Sequence, residues 1–348
     1  MGSTKILVTG GLGFIGSHTV VELLQEGYDV VIADDLSNSE RFILDNIEKI
    51  TGRKPTFYHL DLTKKKSVQE MFVSEDDISV VIHFAAYKAV GESLQLPIKY
   101  YRNNLFSLVN VLEVMQEFSC EHIVFSSSAT VYGEPDFLPI NESTAFKKAL
   151  SAYGSTKQIG EEILEKVAAA SNISSIALRY FNPVGAHSSA LIGELPIGTP
   201  NNLMPYVMQV AAGMRESLTV YGNNYDTPDG TCIRDYIHVV DLAKAHVKSC
   251  ERLLNTYDNP SHEVFNIGTG NGYSVMEIID AFEKYNEVKV PYTIGNRRGG
   301  DATSIFADVS RSEKLLGWKA ELGLMEMVTS AWQWQQQLMS EKLGETVK

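Results

Sequence analysis

Short apolar runs alternate with longer amphipathic stretches along the first half of the chain. Residues 6–8, 30–33, 57–60, 80–84, 123–126 and 176–180 are apolar at most positions and rich in β-branched side chains. A strand covered on both faces reads this way, because neither face meets water. Between these runs, stretches at 15–25, 39–50, 67–72, 97–118 and 151–171 read as helices. The alternation predicts an α/β fold, a doubly wound parallel sheet with helices on both sides.

The second half is less regular. Glycine and proline punctuate 182–200 and 221–230, which read as loops. Helical spacing resumes at 203–213, 239–254, 274–284 and 323–337, and 264–267 reads as a strand that returns to the main sheet. There is no internal repeat and no hard linker. The expected division is a nucleotide-binding domain over 1–181 and a smaller α/β domain over 182–348, with some later segments rejoining the sheet.

The first turn carries chemistry. Thr9-Gly10-Gly11-Leu12-Gly13-Phe14-Ile15-Gly16 follows the first strand and opens a helix, with Gly10, Gly13 and Gly16 three residues apart. Gly10 permits a tight turn, Gly13 lets a pyrophosphate approach the backbone, and Gly16 lets helix and strand pack closely. The helix N-terminus adds free N–H groups and a positive dipole. Asp34, eighteen positions beyond Gly16, ends the second strand. Its carboxylate can accept from both ribose hydroxyls and repels a 2′-phosphate, which favours NAD over NADP. The expected fold is therefore of Rossmann type. Asp61-Leu62 follows the third strand, where adenine would lie, although an Asp there also serves turns.

Two further segments belong together. Ser126-Ser127-Ser128 ends a strand, and Tyr153-Gly154-Ser155-Thr156-Lys157 opens a helix. Residues four apart share a helix face, so the Lys157 ammonium, helped by the positive charge of oxidised NAD, is expected to lower the Tyr153 pKa from about 10. Tyr153 then reads as the acid/base for an alcohol, Ser128 as a hydrogen-bond partner of the reacting hydroxyl, and Lys157 as the holder of the nicotinamide ribose. Phe84-Ala85-Ala86-Tyr87-Lys88 follows another strand end. Ala85 and Ala86 are small enough for a cofactor to approach, and Lys88 can reach its diphosphate. His83 reads as structural.

Composition narrows the classes. Apolar residues make up 44% and charged residues 21% of 348, with a net charge of −13, an ordinary globular balance that argues against a nucleic-acid footprint. Cys120, Cys232 and Cys250 are too few and too scattered for a disulfide framework or zinc cluster, and read as buried thiols. No H-E-x-x-H, C-x-x-C or carboxylate cage points to a metal. Met1-Gly2-Ser3-Thr4 resembles no leader, Ile6 stands where myristoylation takes Ser or Thr, and no apolar run approaches a membrane span. The expected location is the cytoplasm.

These residues resemble the extended short-chain dehydrogenase/reductase family and, within it, the branch that epimerises UDP-galactose and UDP-glucose at C4. The resemblance covers nearly the whole chain. It rests on Val81-Ile82-His83-Phe84-Ala85, Ala89-Val90-Gly91-Glu92-Ser93 and the strings at 125–133 (FSSSATVYG), 179–187 (RYFNPVGAH), 200–206 (PNNLMPY) and 233–239 (IRDYIHV). It implies catalytic roles for Ser128, Tyr153 and Lys157. It implies NAD contacts at Gly13, Phe14, Ile15, Asp34, Asn38, Ser39, Asp61, Leu62, Phe84, Ala85, Ala86, Lys88, Asn103, Lys157 and Tyr180. It implies UDP-sugar contacts at Asn182, Asn202, Leu203, Arg234, Arg298 and Asp301, beside Lys88, Ser128 and Tyr153. Two arginines suit a diphosphate. The implied reaction oxidises C4, lets the tethered 4-keto sugar turn over, and reduces its other face, with NAD retained, in galactose metabolism. A homodimer paired through the helices at 97–118 and 151–171 is implied as well.

Two departures are small: Ala86 stands where many relatives have glycine, and Ser155-Thr156 replaces Lys-Ser. Rivals are a nucleotide-sugar dehydratase, an epimerase of UDP-glucuronate or UDP-N-acetylglucosamine, and a non-catalytic NAD sensor. The dehydratases carry an Asp-Glu pair where Ala129-Thr130 follows Ser128 here, and sensors tend to lose the Tyr or Lys. Ile305, four residues after Asp301, occupies the position of a gate against N-acetylated sugars, and its β-branch makes it stiff. Weak or no turnover of UDP-N-acetylgalactosamine is expected. Turnover comparable with that of UDP-galactose, measured side by side, refutes this.

Overall fold

The computed structural model describes residues 4–255, 260–299 and 301–346, and Met1-Gly2-Ser3 of the N-terminal reading lies outside them. The predicted alternation is built as β1 (Lys5–Thr9), α1 (Phe14–Gln25), β2 (Asp29–Asp34), α2 (Phe42–Thr51), β3 (Thr56–His59), α3 (Lys65–Ser74), β4 (Ile78–His83), α4 (Val90–Gln95), α5 (Pro97–Glu117), β5 (His122–Ser126), α6 (Ala152–Ala170) and β6 (Ser174–Tyr180). Then come β7 (Asn182–Val184), α7 (Leu203–Ala211), β8 (Leu218–Tyr221), β9 (Ile233–Arg234), β10 (Tyr236–His238), α8 (Val239–Asn255), β11 (His262–Ile267), β12 (Tyr273–Ser274), α9 (Val275–Asn286), β13 (Tyr292–Gly295), β14 (Ser304–Ile305), α10 (Ser310–Leu316) and α11 (Leu324–Thr346).

Seven strands form one sheet in the order β11-β6-β5-β4-β1-β2-β3, all parallel. The period of two divides it. Ile6, Val8, Val30, Ile32, Val80, Ile82 and Val124 face a core shared with α1, α2 and α8. Leu7, Val31, Val81, Ile123 and Ala177 face the core under α3, α5 and α6. The chain leaves β1 toward β3 and returns to β4 on the other side. The crevice at that reversal is where an open α/β sheet binds ligands. The segment at 264–267 does rejoin the sheet, as β11 beside β6. A separate core joins α7, α9, α11, β8 and β10 through Met204, Val207, Leu218, Ile278, Phe282, Met327 and Trp332.

The expectation of a loop throughout 182–200 is corrected at its start. Asn182–Val184 is a strand, parallel to β10. Pro183 disguises it, because proline is tolerated only in an edge strand such as a two-stranded sheet provides. α4 and α10 span six and seven residues, too few for a helical period to show. β8 and β13 pair with each other and are four residues each. All three cysteines are buried and free.

Four histidines lie deep in the fold. Burial lowers His18 and His83 to about 3 and His238 and His246 to about 4. Nε2 of His18 and of His246 has no partner, while Nδ1 of His238 accepts from the Val240 N–H at 3.1 Å. Charging His18 or His246 would bury an unpaired N–H, and charging His238 would set its Nδ1–H against the Val240 N–H. Their folded-state pKa values lie below the unfolded value of about 6.5, so between there and about 4 the unfolded chain binds more protons. Stability should fall as pH drops through that window. A melting temperature clearly lower at pH 5 than at pH 7 is expected, and equal values would contradict the assignment.

Candidate active site

The glycine turn is dictated by space. Gly10 sits at φ +69°, and a Cβ there would meet the Ala85 backbone N at 2.9 Å, so the β1 and β4 ends touch through bare backbone. A Cβ on Gly16 would fall 2.2 Å from the Gly10 carbonyl oxygen. Gly13 is the N-cap of α1 and offers no side chain to the orphan N–H groups of the first turn. Asp34 is tied to the same loop. Its Oδ2 accepts from the Leu12 N–H at 3.0 Å, and its Oδ1 from the Leu36 N–H at 2.9 Å and the Ser39 hydroxyl at 2.8 Å. Three of about four lone-pair directions are taken by its own chain. This fixes the carboxylate and leaves Oδ2 one open direction, fewer than two ribose hydroxyls call for.

Phe14 and Ile15 are half-buried at the head of α1, and Asn38 is exposed beside Ser39. Asp61 Oδ1 accepts from the Thr63 N–H at 2.9 Å and the Thr63 hydroxyl at 2.6 Å, a turn of the kind its position also suggests. Leu62 is buried, and its carbonyl accepts from Asn110 at 2.9 Å. Asn38, Asp61 and Leu62 follow the ends of β2 and β3. An uncapped helix N-terminus, a fixed carboxylate and the small Ala85 and Ala86 together fit a dinucleotide.

The second constellation forms at the ends of β5 and α6. Ser151 caps α6 by accepting from the Gly154 N–H at 3.1 Å, which turns Tyr153, Thr156, Lys157 and Glu161 to its buried side. The Lys157 ammonium donates to the Ser126 carbonyl at 2.6 Å and lies 4.9 Å from the Phe125 ring centroid and 5.8 Å from that of Tyr153. Burial lowers its pKa to about 8, partly offset by Glu161. The Ser128 hydroxyl accepts from the Thr130 N–H at 3.2 Å and the Thr130 hydroxyl at 3.0 Å. This hydroxyl, close to the Tyr153 phenol, favours the phenolate.

One expectation is not met by the protein alone. Lys157 was to lower the Tyr153 pKa, yet burial holds the phenol well above its ordinary value, reinforced by Tyr180 and Tyr100. The ammonium is spent on a carbonyl, and desolvation of the phenolate outweighs what it contributes.

Behind these residues lies a buried network outside the sequence reading. Arg179 donates to both oxygens of Glu161, at 2.6 Å from Nη2 and 3.0 Å from Nε, and the Ser127 hydroxyl donates to the same carboxylate. Arg179 also donates to the Tyr132 hydroxyl at 2.9 Å, which donates to Asn266 at 2.6 Å. Asn104 does similar work in front. It accepts from the Tyr87 N–H at 2.9 Å and donates to Thr156 at 3.1 Å and the Tyr87 carbonyl at 3.1 Å. Its neighbour Asn103 donates to it at 3.2 Å. A buried Asn in an otherwise apolar helix stripe was the available signal.

The remaining residues come from both halves of the chain. Tyr180 accepts from the Ser126 hydroxyl at 3.0 Å. The half-buried Phe84 ring lies 4.6 Å from that of His246. Arg234 is ion-paired with Asp301. Ile305 pairs in register with Arg234 and packs against Val131 and Phe181. The Arg298 guanidinium lies 4.1 Å over the Tyr221 ring, which adds Tyr221 to the set. Asn182 is exposed on β7, and Asn202 caps α7 ahead of the half-buried Leu203. Lys88 donates to Glu194 at 3.1 Å, and so does Asn202.

Comparison with known proteins places these residues among relatives. A family model described as GDP-mannose 4,6 dehydratase matches residues 7–331. A UDP-glucose 4-epimerase of Bacillus subtilis is 52% identical over 331 residues, covering 95% of this chain and 96% of that protein. The crystal structure of a UDP-glucose 4-epimerase from Stenotrophomonas maltophila, with bound NAD and formylated UDP-arabinopyranose, superposes with a TM-score of 0.94 at 45% identity, over 97% of this chain and 99% of that one. That of the Bifidobacterium longum enzyme, in complex with NAD+ and UDP, gives 0.91 at 49% identity over 96% and 98%.

Proposed function

The chain belongs to the UDP-glucose 4-epimerases of the extended short-chain dehydrogenase/reductase family, and from that premise we propose that it interconverts UDP-galactose and UDP-glucose by reversible epimerisation at C4. The reaction passes through a 4-keto sugar with NAD tightly held. The observation that carries this reading is the convergence of Ser128, Tyr153 and Lys157 at the carboxyl edge of the sheet, beside the uncapped turn at Gly10–Gly16.

When bound, NAD supplies the acceptor and donor of the C4 hydride. Gly13 and the head of α1 would hold its diphosphate, Asp34 its adenosine ribose, and Lys157 its nicotinamide ribose. Tyr153 takes the proton from the C4 hydroxyl and returns it to the C4 oxygen, with Ser128 bonded to the same oxygen. In the protein alone the phenol is held neutral by burial, so its deprotonation depends on positive charge brought beside it. Arg234 and Arg298 grip the UDP diphosphate, and Asp301 orients Arg234 for that task. Asn182, Asn202 and Lys88 border the sugar.

A dehydratase reading is disfavoured in spite of the family model's description. Elimination needs acid/base carboxyls after the catalytic hydroxyl, and the turn there carries Ala129 and Thr130, with Thr130 spent on Ser128.

The exposed apolar residues Ile98, Phe106 and Val109 on α5, with Leu94 and Leu96 just before it, support pairing of two copies through this face. Light scattering should give the mass of a dimer, and a monomer at micromolar concentration would overturn that.

Purified protein incubated with UDP-galactose, without added NAD, should approach a mixture with UDP-glucose by proton NMR. Tyr153→Phe should keep the fold and the cofactor but cut turnover about 100-fold or more. Near wild-type activity would place the acid/base elsewhere.

A further inference from the structure

Glu194 has no part in the chemistry above, yet its side chain joins the two halves of the site. We propose that Glu194 is a positioning residue for the sugar, setting the orientation of Lys88 and Asn202 through one buried carboxylate oxygen. The inference rests on the epimerase reading and deepens it.

The loop that carries Glu194 is held from two sides, by α2 and by α11. Asn46 of α2 donates to the Leu191 carbonyl at 2.8 Å. The Trp334 indole of α11 donates to the carbonyl of Glu194 itself at 2.9 Å. Gly193 lies so close under Trp334 that a Cβ would meet the ring at 2.4 Å. The backbone is thus fixed before any ligand arrives, and the Glu194 residue is 8% exposed. A buried carboxylate is costly unless paired. Its Oε1 receives Lys88 from the β4–α4 segment and Asn202 from the cap of α7, each at 3.1 Å.

An ionised carboxylate only accepts. The Asn202 amide must therefore turn its NH2 group toward Glu194, which leaves Oδ1 as a fixed acceptor for a sugar hydroxyl. The same contact holds Lys88, which would otherwise sweep freely on its four-carbon stem. The substrate's own behaviour makes this matter. The UDP anchor stays while the 4-keto sugar turns over, so the walls must keep their polarity with no tight grip on the ring. Glutamine at 194 keeps the shape but can donate as well as accept. It would let the Asn202 amide flip and leave Lys88 without its counter-charge.

The test uses the holoenzyme as purified. In E194Q, kcat for UDP-galactose should fall about tenfold or more, with KM within about twofold, because the diphosphate contacts are untouched. Reduced nicotinamide should build up during turnover, followed by its fluorescence, since a poorly held 4-keto sugar escapes before the hydride returns. A structural role alone would not produce that signal. Combining E194Q with Asn202→Ala should give a loss smaller than the product of the two single losses. If E194Q does not fold, Glu194→Asp, with the carboxylate drawn back, should show the same kcat loss and fluorescence. Wild-type kinetics in the variant, a loss confined to KM, multiplicative losses, or no fluorescence would each overturn the proposal. If the wild type itself does not convert UDP-galactose, the epimerase reading fails; if it does and E194Q matches it, only the role of Glu194 fails.

Discussion

The buried ion pair between Arg179 and Glu161 is the constraint on which the catalytic edge hangs. Neither charge could sit there alone, since removing one partner from such a pair costs about 3–5 kcal/mol. Together they are saturated. Arg179 reaches both carboxylate oxygens and the Tyr132 hydroxyl, and Glu161 also takes the Ser127 hydroxyl. The geometry follows from this. Glu161 stands one turn after Lys157 on α6, Arg179 lies on β6, and Ser127 precedes Ser128. One interaction therefore fixes the helix bearing Tyr153 and Lys157 against the two strand ends it faces.

Proton chemistry is set by the same packing. A tyrosine and lysine in register suggest an activated phenol, but in a dry site both groups move toward neutrality. The phenol rises and the ammonium falls to about 8. Burial acts on each separately and outweighs their mutual attraction. At neutral pH the phenol is neutral and the ammonium still mostly charged, so the reactivity of the site is conditional on the charge of what enters it. The polar contacts at the front, from Asn104 to Tyr87 and Thr156, are neutral and hold shape without altering that balance.

Much of this was readable in the sequence where the signal is local. The strands of the parallel sheet show as unbroken apolar runs, and the glycine turn shows by spacing. Tyr153 and Lys157 show by helix period and Ser128 by its place at a strand end. What escaped is what depends on partners distant in the chain. Glu161 and Arg179 are 18 residues apart, and Tyr132 and Asn266 are 134 apart, so no pattern announces their meeting. Glu194 lies in a stretch that reads as loop, and its importance comes from Trp334, 140 residues on. The Tyr153 pKa was misjudged for a related reason: burial is a property of the whole fold, whereas a four-residue spacing is not.

The seventh strand has a consequence for how the molecule comes into being. β11 begins at His262 and covers the flank of β6, which ends at Tyr180, while α8 closes the layer over α1. At roughly 5–20 residues per second on a ribosome, β6 is finished several seconds before its neighbour exists. During that interval Ile176, Leu178 and the unpaired backbone of β6 form an open sheet edge, the kind of surface that recruits other chains. A delay in the ordering of the first half, or a chaperone that shields that edge, would protect the nascent protein until the later segments arrive.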